Sequence, residues 1–289
     1  MPLLSSALAS ACTGDIALAK AEILTARGTP GGGKLSRRGI NGTIALSLLL
    51  GTMVLNRCPD WFDRPVAIAI NHLSIDWRFA SMLAAGLSYP SVEGVITLSL
   101  VWYCWFSVAT PESRARFVSA VIAAVLAGVI AHLLQHALPP APKPIFDPLL
   151  RLHLPAVLGN LDTPTASSFA SSPTFPSERA TMFAGLAIAI FLIQRRLGLF
   201  ALMCTMLVES SRIFLGLHYP TDIMGSYFLA GTIACVGQMR AGAPVGFQLV
   251  KWERASPATF YMCASFVSYE MTSAFQDFRE LGAQIVRFL

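Results

Sequence analysis

The segment from Ser211 to Asp222 places several polar and ionisable side chains between two apolar runs. His218 and Asp222 are four residues apart in it, and Arg212 precedes both. A carboxylate that bonds one ring nitrogen of a histidine fixes the tautomer and makes the ring a better nucleophile or base. An arginine binds two phosphate oxygens at once. The segment predicts phosphate chemistry, with the alternative that Arg212 and Asp222 only pair with each other and cap helix ends.

A second polar cluster precedes another apolar run. Pro176 and Ser177, followed by Glu178 and Arg179, are typical of a helix N-terminus. The free backbone N–H groups of such a terminus favour an anion. Taken alone, this segment predicts no more than a helix cap.

A third cluster, His136 to Pro144, ends an apolar segment with several prolines. Prolines stop a helix and stiffen the chain beyond it. Lys143 would then be held at a fixed position near a membrane interface. Taken alone, this pattern is better explained by a lysine that extends its charged end towards water beside a rigid loop than by a functional site.

The elements that must position these clusters are apolar helices. Of the 289 residues, 54% are hydrophobic and 13% are charged, which is far from the composition of an ordinary soluble domain. A helix needs roughly 20 mostly apolar residues to cross a hydrocarbon core of about 30 Å. The predicted fold class is all-α, a polytopic membrane helical bundle of about six transmembrane helices. The predicted segments are Ile40–Leu55, Val92–Phe106, Val118–Leu138, Ala180–Ile193, Leu197–Phe214 and Asp222–Gln238.

Basic residues flank these segments on one predicted side. Cytoplasmic loops carry an excess of Lys and Arg, so this side is expected to be cytoplasmic and the three polar clusters to face the other side. This distribution accounts for the net charge of +5, and no nucleic-acid partner is predicted. The residues that predict the orientation are Lys34, Arg37, Arg38, Arg114, Arg116, Arg195, Arg196 and Arg240.

Three regions are predicted: a cytoplasmic N-terminal segment 1–38, the six-helix membrane domain 39–240, and a C-terminal segment 241–289. Residues 1–33 lack a basic stretch followed by an apolar core, so no signal peptide is expected there. The stretch Asp60–Tyr89 alternates aromatic, apolar and charged residues, which predicts a helix at the membrane interface. Residues 241–289 predict an amphipathic helix, on the cytoplasmic face or against the bundle, rather than a seventh crossing.

The order and spacing of the three clusters resemble the type 2 phosphatidic acid phosphatase family. This family includes lipid phosphate phosphatases and bacterial undecaprenyl-diphosphate phosphatases, and it is related to vanadium haloperoxidases. The resemblance covers roughly Ile40–Gln238, and the family pattern S-R-x5-H-x3-D is matched in full by Ser211, Arg212, His218 and Asp222. It implies that His218 attacks phosphorus to give a phosphohistidine, that Asp222 orients His218, and that Arg212 binds the phosphate.

The other two motifs depart from the family pattern. The pattern K-x6-R-P is represented by His136 and Lys143, so each basic residue is replaced by another that can carry positive charge. The pattern P-S-G-H is represented by Pro176–Arg179, where Ser177 keeps a phosphate-binding position and Arg179 replaces the histidine that protonates the leaving group. The resemblance thus implies His218 and Asp222 as catalytic residues, and a phosphate-binding set of Arg212, Lys143, Ser177, Arg179 and His136.

The arginine at position 179 affects the expected substrate. Arg179 does not supply a proton near neutral pH. Breaking a phosphate monoester expels an alkoxide, which needs general-acid help worth about 10² to 10⁴ in rate. Breaking a diphosphate expels another phosphate, whose charge a fixed cation stabilises without proton transfer. A polyprenyl diphosphate or similar lipid diphosphate is therefore the predicted substrate, in preference to phosphatidic acid.

Two classes of function remain open at this point. The first is an enzyme, a phosphatase if water accepts the phosphoryl group or a phosphotransferase if another hydroxyl compound does. The second is a catalytically inactive family relative that binds a lipid phosphate head group or scaffolds a membrane assembly. A transporter is disfavoured because the sequence shows no inverted repeat or paired broken helices.

The expected partners are a membrane lipid phosphate or diphosphate and the bilayer itself. No cofactor is expected, and no metal site is predicted because His132 and His136 lack an apparent third ligand. The predicted location is the bacterial inner membrane, with the site facing the periplasm and both termini cytoplasmic. A eukaryotic endomembrane with the site facing the lumen would give the same pattern. The sequence makes no prediction of the oligomeric state.

Overall fold

A computed structural model of the chain describes residues 37–56, 58–76, 78–138, 143–150, 152, 174–237, 243–273 and 275. Within these ranges the chain forms ten α-helices and one short 3-10 helix, and no strand. The all-α fold class is confirmed. The predicted calls on residues 1–36 and on 276–289 lie outside the described residues, and the three predicted regions remain a prediction.

Six of the ten helices correspond to the six apolar segments. They are α1 (Arg37–Asn56), α4 (Pro90–Ser107), α5 (Pro111–Ala137), α6 (Glu178–Ile193), α7 (Arg195–Phe214) and α8 (Pro220–Gly237). The others are α2 (Asp63–Asp76), α3 (Arg78–Leu87), α9 (Ala243–Ala255) and α10 (Pro257–Thr272), and the 3-10 helix is Pro144–Phe146.

The single helix predicted over Asp60–Tyr89 is two helices, α2 and α3. Each has its own partners: α2 packs against α7 and α8, whereas α3 packs against α7 and α4.

Helix α6 lies at the centre of the bundle and packs against α4, α5, α7 and α8. Every residue from Ala180 to Ala187 is buried, as expected for a helix that is apolar on all sides. A Cβ atom at Gly185 would lie 2.8 Å from the Cβ of Ala124, so the glycine allows α5 and α6 to approach closely. This close packing fixes the N-terminal end of α6, where the second polar cluster begins.

Among the residues that the structure describes, two helices are long and apolar enough to cross a membrane, namely α5 with 27 residues and α7 with 20. Residues 79–87 and 91–107 together form a possible third span, bent by 52°. Large apolar side chains such as Leu133, Met203 and Leu207 are exposed on the outside of the bundle, where lipid would cover them. The described helices thus have the character of an integral membrane protein, and six crossings remain a prediction.

The last two described helices pack along α5 and α4. Helix α9 contacts α5, and α10 runs antiparallel to α4. The rings of Trp105 and Phe260 stack at 5.6 Å, and Leu98 shares an apolar cluster with Met271. At the far end, a Cβ atom at Gly94 would lie 2.7 Å from the Cα of Thr272. Helix α10 therefore lies against the bundle, whereas most of the residues that predict an amphipathic helix, from Phe275 to Phe288, lie outside the described residues.

Candidate active site

His218 and Asp222 face each other where the turn after α7 leads into α8. The Nδ1 atom of His218 is 3.5 Å from Oδ2 of Asp222, with side-chain exposures of 7% and 0%. This distance is longer than a normal hydrogen bond, so the two groups form a loose electrostatic pair. Asp222 Oδ2 accepts a hydrogen bond of 2.8 Å from the backbone N–H of Tyr219, which fixes the carboxylate. Gly216 permits this tight turn with a φ of 71°.

The surroundings of His218 keep its imidazole neutral. Burial is the main cause that lowers the pKa of His218 well below its ordinary value. The positive charges of Arg212, Lys143 and Arg179 lower it further, and Glu209 acts against them. A neutral imidazole carries a free lone pair, the state that a nucleophilic histidine needs.

Lys143 is buried at the start of the 3-10 helix, with 5% of its surface exposed. Burial and the nearby Arg212 lower the pKa of Lys143 to about 8, although Asp222 acts to raise it. The 3-10 helix is attached to the turn by a hydrogen bond of 2.9 Å from Ile145 N–H to the carbonyl of Gly216. The third polar cluster is thus joined to the turn that carries His218.

Arg179 and Arg212 each pair with a buried glutamate that sequence reasoning missed. Arg179 Nη2 lies 3.5 Å from Oε2 of Glu93 on α4, and Arg212 Nη1 lies 3.5 Å from Oε1 of Glu209 on α7. Glu93 is 1% exposed and Glu209 is fully buried. Both glutamates lie inside apolar segments, and an ionisable residue in such a segment is a signal that could have identified them.

Ser177 is the N-cap of α6. Its Oγ accepts a hydrogen bond of 3.4 Å from the N–H of Ala180, which is the capping role that the segment predicts when taken alone. Its carbonyl accepts a hydrogen bond from Ser226, one turn after Asp222 on α8. Ser177 is buried, so the second and first polar clusters meet at the interface of α6 and α8.

His136 is exposed on α5, whereas His218 is buried. Its Nδ1 is 2.9 Å from the carbonyl of His132, and the two rings are 4.6 Å apart. His132 Nδ1 in turn lies 3.1 Å from Oε2 of Glu178. Gln135 donates a hydrogen bond of 2.6 Å to the carbonyl of Pro176. The end of α5 thus braces the start of α6.

A hydrogen-bond network from α1 and α2 holds the start of α8. Asn56 Nδ2 donates to Oδ1 of Asp222 at 3.2 Å and to the hydroxyl of Thr221 at 3.0 Å. Asp63 accepts hydrogen bonds from both the backbone N–H and the hydroxyl of Thr221. Burial raises the pKa of Asp63 to about 6, while the hydrogen bonds from Thr221 act to lower it. Sequence reasoning did not identify this network, because no motif marks it.

A second network fixes the residue that follows His218. The Tyr219 hydroxyl donates a hydrogen bond of 2.9 Å to Oδ2 of Asp147, and Arg64 Nε donates to the same oxygen at 3.1 Å. Burial acts to raise the pKa of Asp147, but hydrogen bonds from Leu149 N–H, Tyr219 and Arg64 hold it below its ordinary value. Asp147 thus remains an ionised anchor for the turn.

Two further features lie apart from this cluster of residues. No group of three His, Cys, Asp or Glu side chains within the described ranges could hold a metal ion. A cavity of about 450 Å³ is lined by residues from the opposite end of α5, including Arg116, and by Gln194, and it contains none of the predicted site residues.

The comparisons with known proteins give one match. Residues 148–239 match the model of the PAP2 superfamily, and this segment contains Ser177, Arg179, Arg212, His218 and Asp222. The chain has no match among curated proteins or among solved structures. The match supports a phosphatase-type function in broad terms, and it agrees with the resemblance that the motif at Ser211–Asp222 indicates: residues 148–239 are similar to the PAP2 superfamily.

Proposed function

We propose that the protein transfers a phosphoryl group from a membrane lipid through a phosphohistidine at His218. The observation that carries this proposal is the buried His218 that faces Asp222 at 3.5 Å, with the cationic side chains of Arg212, Lys143 and Arg179 near enough to lower its pKa. Three cations around one nucleophile suit an anionic phosphoryl group. The acceptor is water in a phosphatase, or another hydroxyl compound in a phosphotransferase.

The proposed reaction has two displacements at phosphorus. Nδ1 of His218 faces Asp222, so Nε2 attacks while the bond from phosphorus to the leaving oxygen breaks. Asp222 stabilises the positive charge that develops on the imidazole. The acceptor oxygen then attacks phosphorus, the phosphorus–nitrogen bond breaks, and the acceptor proton is released. Arg212 and Lys143 hold the non-bridging oxygens during both steps.

We propose a polyprenyl diphosphate, such as undecaprenyl diphosphate, or a similar lipid diphosphate as the preferred substrate. Arg179 occupies the position of the family's proton donor, and its guanidinium keeps its protons. A leaving phosphate carries its own negative charge, which Arg179 stabilises as a fixed cation. An alkoxide leaving group gains much less from this arrangement, because it needs a proton.

The proposed setting is a bacterial inner membrane with the site on the periplasmic side and the termini in the cytoplasm. Basic residues at the opposite ends of the helices, such as Arg195 and Arg196 at the start of α7, support this orientation. A lipid diphosphate would then present its head group at the outer end of the bundle.

A non-catalytic role is the second candidate, and one observation favours it. Arg179 and Arg212 both have buried carboxylate partners, so part of their charge is already compensated in the absence of a ligand. A relative that binds a lipid phosphate without turnover would tolerate this compensation. Neither guanidinium pairs with Asp222, whose carboxylate remains beside His218.

The proposal is tested by phosphate release from purified protein in detergent. We expect release from a polyprenyl diphosphate and much slower release from phosphatidic acid, because only the diphosphate has a leaving group that Arg179 stabilises. His218→Ala is expected to lower the diphosphate rate by at least about 10³-fold. Equal rates on the two lipids would contradict the substrate preference, and no release from either would favour the binding role.

A further inference from the structure

Glu93 links the Arg179 position to a helix outside the family match. Glu93 lies near the start of α4, whereas the match covers residues 148–239. Its carboxylate is the one that pairs with Arg179, and both side chains are largely buried, at 1% and 13% exposure. The Nε and Nη2 atoms of Arg179 are buried and lack a hydrogen-bond partner among the described residues. The carboxylate oxygens of Glu93 likewise lack a hydrogen-bond partner among these residues, so charge rather than a hydrogen bond holds the pair at 3.5 Å, and the Nε donor of Arg179 is left for an acceptor-rich ligand.

The charges around Arg179 explain why a carboxylate is present there. Arg179 and Arg212 interact with each other as like charges. Buried charges need partners of opposite sign. Glu93 supplies this partner to Arg179 and Glu209 supplies it to Arg212. The two carboxyl groups also interact with each other, so the four side chains form one cluster.

The cluster separates two tasks. Arg212 lies on α7, which leads directly into the turn that carries His218, the residue that the proposed function assigns as nucleophile, and the 3-10 helix that begins after Lys143 is attached to the same turn. Arg179 comes from a different helix and has its own counter-ion on α4. A ligand with one phosphoryl group at His218 occupies the first position only, whereas a diphosphate has a second phosphate for Arg179.

We propose that Glu93 is a positioning residue that holds Arg179 for the second phosphate of a diphosphate and limits how tightly Arg179 binds it. This inference rests on the proposed function. The carboxylate of Glu93 fixes the direction of the Arg179 guanidinium and compensates part of its positive charge. The remaining charge attracts the ligand. The leaving phosphate is therefore stabilised during bond breaking and is still released afterwards.

Glu93→Gln tests this role because the amide keeps the shape and removes the charge. Binding of inorganic pyrophosphate and of orthophosphate to the full-length protein in detergent is measured by titration calorimetry. We expect the Kd for pyrophosphate to fall about tenfold while that for orthophosphate changes by less than about threefold, because one local negative charge is lost. The kcat for the lipid diphosphate is expected to fall, and Glu93→Asp to restore both values in part.

Control variants separate this role from a contribution to folding. Glu253→Gln removes a comparable carboxylate, which lies 3.7 Å from Arg114 and is 13% exposed, and it should change neither Kd nor kcat. The double variant Glu93→Gln/Arg179→Gln leaves no unpaired buried charge. It should fold and bind pyrophosphate no better than orthophosphate.

Two outcomes would overturn the inference. They are an unchanged ratio of the two Kd values in Glu93→Gln, including an equal loss of affinity for both anions, and wild-type diphosphate turnover in the double variant. The binding experiment does not depend on turnover. If the wild-type protein binds pyrophosphate but hydrolyses no lipid, the proposed function fails while the Kd ratio still decides the role of Glu93.

Discussion

At the scale of single residues, Lys143 carries a charge that changes close to physiological pH. Its pKa is lowered to about 8, mainly by burial, so the side chain loses its positive charge as the pH rises through that value. Loss of this charge weakens the hold on the phosphoryl oxygens. We expect kcat/KM for a lipid diphosphate to fall above about pH 8, measured as a pH profile of the purified protein.

Lys143→Arg is the matched control for this pH dependence. An arginine at this position stays charged throughout the accessible pH range. The alkaline fall of kcat/KM near pH 8 should therefore be absent in the variant, even if its absolute rate is lower. The same fall in both proteins would show that another group titrates.

The residues of the candidate site differ in how far the sequence could predict them. His218, Asp222 and Arg212 belong to a spaced motif, which can be read from the chain itself. Glu93 and Glu209 belong to no motif, and their pairing with arginines depends on how α4, α6 and α7 pack. The sequence indicates only that a glutamate lies in each of these two apolar segments, and it does not indicate which side chain the glutamate contacts.

At the scale of helices, the contact between α5 and α6 depends on the missing side chain of Gly185. Its Cβ would meet the Cβ of Ala124 at 2.8 Å and the Cα at 2.9 Å. Gly185→Ala is expected to destabilise the protein by about 1 to 3 kcal/mol, because the helices must separate. Thermal unfolding in detergent would show this as a lower Tm.

Two controls define the cause of that loss. Ala124→Gly in the Gly185→Ala background removes the colliding atom, so it should recover part of the Tm. Gly51→Ala on α1 has no atom within 4 Å of the new Cβ and should be neutral or slightly stabilising. An unchanged Tm in Gly185→Ala would contradict the close packing of α5 and α6.

The positions of the main helices were predictable because long apolar segments and prolines mark them. The segment predicted as Ala180–Ile193 is observed as Glu178–Ile193, and Leu197–Phe214 as Arg195–Phe214. Helix α5 begins after Thr110, several residues before its predicted start at Val118. Its first turns contain the charged residues Glu112, Arg114 and Arg116, so they do not show the apolar pattern on which the prediction was based. The division of Asp60–Tyr89 depends on tertiary partners, which the local pattern does not contain.

At the scale of the whole molecule, the predicted orientation separates the two ends of the bundle. Asp60 is close in the chain to Asn56, which donates a hydrogen bond to Asp222. The Asp60 side chain is 82% exposed. Arg196 lies at the start of α7, at the opposite end of that helix from Arg212. With the six native cysteines replaced, a membrane-impermeant maleimide should label Asp60→Cys but not Arg196→Cys in intact cells. The reverse pattern would place the site in the cytoplasm.

Helix α10 is the last of the described helices to be synthesised, and it packs beside Glu93. Thr272 lies against Gly94, the residue that follows Glu93 on α4. At about 5 to 20 residues per second, a ribosome completes Thr272 seconds after Asp222. During that interval the motif residues already exist, but the start of α4 still lacks one of its neighbours. The contact between Gly94 and Thr272 therefore forms only after the C-terminal helices have been made.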